Sequence, residues 1–92
     1  MHLEIVSPEA TLFSGEVASV TVPGSAGSFQ MLNDHAPIVS TLKQGTVTIN
    51  GKIKVQDAFK AKFKQVSSDT TLFEISAGTV EMKNNKLILL AD

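Results

Sequence analysis

Turn-forming residues recur so often along this chain that most intervals between them have room for a strand and not for a helix. Ser7-Pro8, Ser14-Gly15, Pro23-Gly24 with Gly27-Ser28, Asn33-Asp34 with Pro37, Gly45, Asn50-Gly51 and Asn84-Asn85 divide it into short pieces. The pieces are β-branched, apolar or alternating, at residues 2–5, 11–13, 16–22, 29–32, 38–42, 46–49, 72–75, 79–82 and 86–90. Asn50-Gly51 predicts a type I′ hairpin with 52–55 as its return strand. One segment, 58–66, reads two ways. Phe59, Phe63 and Val66 fit one helical face, while Phe59, Ala61 and Phe63 alternate with Lys60, Lys62 and Lys64 as in a half-buried strand. The all-β surroundings favour the strand. So many short strands at regular spacing predict an all-β sandwich or barrel.

The composition mainly excludes. Ninety-two residues make one domain with one modest core. With no cysteine, there are no disulfides, thiolate zinc sites or cysteine nucleophiles, and a small domain without disulfides fits the cytosol better than the exterior. The longest apolar run, 87–91, is too short to span a membrane, and no signal peptide opens the chain. Arginine is absent, which argues against nucleic acid as a partner. Asp34 and His35 are adjacent, an arrangement that rarely orients a catalytic triad, and no serine sits in a nucleophile elbow. His35 reads as a loop histidine bonded to a backbone carbonyl or to a partner. His2 and His35 do not make a metal set. The loop 23–28 lacks the lysine and the following helix of a phosphate cradle. It reads either as a plain turn whose glycines supply positive φ or as a tip that presents Ala26, Ser28 and Phe29 to a partner. No cofactor is expected.

Charge is unevenly placed. Residues 1–42 carry four acids and no lysine, whereas 43–92 carry eight lysines and five acids, so the halves sum to −4 and +3. A lysine-free half suggests a contact surface, because lysine is depleted where proteins meet. Five of the lysines lie between 52 and 64 and read as a solvated face that guards a strand edge.

Several short motifs follow one another in a distinctive order. They are Phe13-Ser14-Gly15-Glu16-Val17, Pro23-Gly24-Ser25-Ala26-Gly27, His35-Ala36-Pro37 and Leu42-Lys43-Gln44-Gly45, with 75–82 and Leu89-Leu90-Ala91-Asp92 at the end. This series resembles the N-terminal domain of the epsilon subunit of F-type ATP synthases. The chain departs from that pattern at Gln30, where glycine is usual, and at Asn33-Asp34, where Pro-Gly is common. Segment 52–68 is longer than in the family, and the family's C-terminal two-helix hairpin does not follow Leu90.

The resemblance implies a single domain over 1–92, a flattened β-sandwich of two roughly five-stranded sheets. It implies a non-catalytic central-stalk subunit that couples rotation of the c-ring and the gamma subunit to ATP synthesis in a proton-translocating enzyme. Such a subunit is peripheral, at the cytoplasmic face of the inner (plasma) membrane, without inserting into it. The matching positions imply c-ring contact through Ser25, Ala26, Gly27, Ser28 and Phe29, and gamma-subunit contact through Ser7, His35, Pro37 and Ser40. Without the hairpin, neither nucleotide binding nor hairpin-type inhibition is expected. A different class, the biotinyl or lipoyl carrier, is suggested faintly by Glu81-Met82-Lys83, although Lys83 sits beside the turn and not at its tip.

Overall fold

The computed structural model describes residues 1–92 and contains ten strands: β1 (His2–Val6), β2 (Thr11–Glu16), β3 (Ser19–Gly24), β4 (Gly27–Leu32), β5 (Ile38–Leu42), β6 (Gly45–Asn50), β7 (Phe63–Ser67), β8 (Thr70–Ile75), β9 (Gly78–Lys83) and β10 (Lys86–Ala91). A 3-10 helix, Asp57–Lys62, precedes β7. The strands form two five-stranded layers, ordered β2-β1-β10-β9-β5 and β4-β3-β6-β8-β7. A single residue pair, Gly24 with Leu42, continues the ladder from one layer into the other. All pairings are antiparallel except β1 with β10.

Period-two alternation sends one face of each layer inward. The first layer contributes Leu3, Ile5, Val80, Met82, Leu87 and Leu89 to the core. The second contributes Val20, Val22, Met31, Val47, Ile49 and Phe73, all within one cluster of twenty buried apolar residues. Each fully buried side chain of this size stabilises the fold by about 1.5–3 kcal/mol.

The expected sandwich of two five-stranded layers is therefore present, but some local boundaries differ. Asn50-Gly51 is not a hairpin. β6 is an interior strand with β3 on one side and β8 on the other, so no return strand can pair beside it. Gly51 takes φ 137 and its N–H donates to Asp69 at 2.8 Å, directing the chain out of the layer. Residues 52–55 pair with no strand. Their alternation has another cause: Ile53 and Val55, with Phe59 beyond them, pack onto the core, while Lys52 and Lys54 face water. Residues 51–62 thus form a strap along the open side of the sandwich, past residues 11–14 and then 7–10. Segment 58–66 is half helix and half strand: 3-10 helix to Lys62, then β7, where Phe63 stacks on Phe73 at 4.8 Å. Ser14 and Gly15, expected to turn, lie inside β2, because the reversal falls at Val17-Ala18.

Candidate functional site

One end of the sandwich is built around the β3–β4 hairpin. The loop expected over 23–28 is shorter than its sequence suggests. Pro23 and Gly24 finish β3, Gly27 and Ser28 begin β4, and only Ser25 and Ala26 form the turn. Gly24 has to be glycine, since a Cβ there would meet the Gly27 carbonyl oxygen at 2.6 Å and the Phe29 ring at 2.8 Å. Gly27 takes φ 136, a conformation that L side chains rarely adopt. The tip is tied to the other layer. The Ser25 N–H donates to Thr41 O at 3.0 Å, the Lys43 N–H donates to Pro23 O at 2.9 Å, and the Ser25 and Thr41 hydroxyls are 2.9 Å apart. Ser25, Ala26, Gly27 and Ser28 are exposed, while Phe29 is half-buried against the core and Gly24. The five residues expected to meet a ring thus form one patch, with Phe29 as its internal brace.

The opposite end carries the β4–β5 loop. Here Asp34 takes φ 61, and the His35 N–H donates to Leu32 O at 3.1 Å. His35 Nδ1 lies 2.7 Å from the Ala36 carbonyl. A carbonyl only accepts, so Nδ1 carries the hydrogen and Nε2 is left as an acceptor. His35 is half-buried and Pro37 is exposed. Ser40 lies midway along β5, in register with Val80. Ser7 follows β1 at the hairpin end, beside Gly78 and Ala91. The four residues expected to face gamma are therefore not one cluster. They extend over the length of the first layer, about 14 Å at 3.4 Å per residue.

Between them lies a surface that the motifs did not reveal. On the outer face of the first layer, Val39, Glu81, Ile88 and Glu4 align in one row, and Thr41, Thr79, Leu90 and Val6 in the next. Val39 is 73% exposed and Leu90 50%. The sequence does carry a sign of it. Ile38-Val39 and Leu89-Leu90 are adjacent apolar pairs, and only one member of each can face the core.

At the His35 end the same face holds a charged group. His2 Nδ1 is 3.2 Å from Glu16, His2 Nε2 is 3.2 Å from the Ser14 hydroxyl, and Lys86 is 3.0 Å from Glu4. The hydrogen bond from His2 holds the Glu16 carboxyl below the usual carboxylate range, helped by the N-terminal ammonium and opposed by desolvation. No three metal-ligating side chains converge in the molecule. A cleft of about 760 Å³ between the strap, residues 7–10 and β7–β8 is lined by phenylalanines, lysines and carboxylates, and contains no histidine. At the β9–β10 turn, Asn84-Asn85 occupies the tip and Lys83 is paired with Lys86.

These features define a small all-β sandwich with a bonded hairpin tip at one end, a fixed loop at the other and an exposed apolar face between them. Comparison with known proteins makes the assignment specific. Residues 1–92 match the family described as ATP synthase, Delta/Epsilon chain, beta-sandwich domain, and the chain belongs to that family of non-catalytic subunits. An ATP synthase epsilon chain of Chlorobium limicola is 38% identical over 98% of this chain and 86% of its own length. The corresponding chain of Campylobacter curvus is 36% identical over the whole of this chain, which spans 60% of that relative. The relative from Caulobacter vibrioides is 34% identical over the whole chain and 90% of its own length. Two solved structures share the fold. One is a Tetrahymena thermophila mitochondrial ATP synthase, central stalk and c-ring, with TM-score 0.67 and 17% identity over 99% of this chain and 62% of that one. The other is a Euglena gracilis mitochondrial ATP synthase, with TM-score 0.73 and 15% identity over 97% and 48%.

Proposed function

We propose that this chain is a central-stalk subunit that transmits rotation between the c-ring and the gamma subunit of a proton-translocating ATP synthase, peripheral at the cytoplasmic face of the membrane. The observation that carries this reading is the bonding at the hairpin end. Ser25, Pro23, Thr41 and Lys43 join the two layers through main-chain hydrogen bonds at the tip that would stand on the ring. A force applied there enters both layers and not one flexible loop, and close-packed interiors deform little. The names of the relatives support the same reading.

Ser25, Ala26, Gly27 and Ser28 meet the ring, braced by Phe29. Ser7, His35 and Pro37 border the gamma contact, with the exposed Val39 and Leu90 between them as its apolar centre, while Ser40, on the inward side of β5, would meet gamma at that strand's free edge. The sandwich itself neither binds nucleotide nor inhibits hydrolysis. The test is to add the chain to enzyme depleted of its epsilon subunit and to capture it with tagged gamma. Recovery of coupled synthesis with hydrolysis undiminished is expected. A several-fold fall in hydrolysis, or no capture by gamma, rejects the reading.

A further inference from the structure

We propose that Asn33 and Asn85 form a clasp that fixes the β4–β5 loop, and that Asn85 is a positioning residue for the contact made by His35 and Pro37. The second half rests on the reading of that loop as facing gamma. Asn84 and Asn85, at φ 53 and 59, are the two central residues of a type I′ turn between the paired Lys83 and Lys86. Glycine serves the second position best, because it has no Cβ to meet the left-handed penalty. This chain carries asparagine there, and the side chain is engaged outside its own hairpin.

Asn85 Oδ1 accepts the Asp34 N–H at 2.7 Å, and Asn85 Nδ2 donates to Asn33 Oδ1 at 2.9 Å. The same Asn33 oxygen accepts from the N-terminal ammonium at 2.9 Å. The amide captured belongs to Asp34, the one residue of the loop in a left-handed conformation. The remaining hydrogen bonds of residues 33–37 are local, His35 to Leu32 and to Ala36. Without the clasp only these local bonds would hold the loop, and none of them ties it to another hairpin. Asn85 also accepts the His2 N–H through its backbone carbonyl, a bond that glycine would keep.

Asn85→Gly separates the clasp from the turn. In the full chain, the variant should keep or raise the melting temperature, since the turn is relieved. Hydrogen exchange at the Asp34 amide should quicken about tenfold, and affinity for tagged gamma should fall about threefold to tenfold as the loop loses its preset shape. Asn33→Ala, which leaves the turn untouched, should accelerate the same amide. Unchanged Asp34 exchange in Asn85→Gly overturns the clasp. Faster exchange with unchanged gamma affinity leaves the clasp standing and overturns the positioning role, whereas the reading of this loop as gamma-facing falls only if His35→Ala also binds gamma normally. A lowered melting temperature with both losses overturns the positioning role in favour of a purely structural one.

Discussion

The two ends of the sandwich are held by different kinds of bond. At the Ser25 end the fixing groups are main-chain amides and carbonyls, with glycine where the backbones come closest. At the His35 end they are the side chains of Asn33 and Asn85, with the N-terminal ammonium. Main-chain fixing leaves the exposed side chains free to vary, but it is unforgiving at the positions that allow the close approach. Side-chain fixing is weaker and can be adjusted by one substitution without loss of the fold. The proposed roles, a tip that bears load and a loop that recognises a partner, would have these respective needs.

The sharpest way to break this contrast is Gly24→Ala. The new methyl would sit against the Gly27 carbonyl and the Phe29 ring, so the hairpin must open. A loss of about 1–3 kcal/mol in urea denaturation is expected, as for other overpacked sites. A loss below about 0.5 kcal/mol, the range of ordinary surface changes, would mean that the tip is not held as described. Ser28→Trp probes the same end from outside. The domain should melt unchanged, while association with the c-ring weakens about a hundredfold, near 3 kcal/mol. Normal rotor assembly in that variant counts against the ring contact.

His35→Ala tests the other end. Its ring bonds only the neighbouring carbonyl, so stability should hold while gamma binding weakens by about 1–2 kcal/mol. Calorimetry showing the reverse would make His35 a structural residue. The smallest effect belongs to Glu16. Its carboxyl is held below the usual range when folded, so it favours the fold above the unfolded value, about pH 4.3, and that contribution is lost as pH falls through the folded value. Glu16→Gln should flatten the acid limb of the stability curve slightly by lowering its neutral plateau, and leave stability below the folded value unaffected. An unchanged acid limb would show that the contact with His2 is without consequence for folding.

The layers were legible in the sequence wherever strands alternate and turns are marked, as at Asn84-Asn85 and from Ile38 to Leu42. Asn50-Gly51 misled because turn chemistry is local, whereas β6 already has partners from residues 19–21 and 70–75 on its two edges. The strap was hidden for a related reason. Alternation of Ile53 and Val55 with lysines records burial on one side, which a strand and an unpaired extended segment share. Ser25 to Phe29 could be read as one patch because they are consecutive. The apolar face could not, because Val39, Ile88 and Leu90 meet only through the order of β5, β9 and β10, which no local pattern encodes.

That order has a consequence for how the molecule is made. Strands β3, β4, β6, β7 and β8 all lie between residues 19 and 75, so one layer can assemble while the ribosome is still adding residues. The other layer cannot, since β10 lies between β1 and β9, parallel to the strand that begins the domain. Until residue 91 emerges, β1 and β2 have no bridge to β9 and β5. Leu90 joins the exposed apolar face in the same step that closes the layer. In a nascent chain the hairpin tip can therefore form early, whereas the exposed apolar face of the first layer stays unfinished until these last residues have been made.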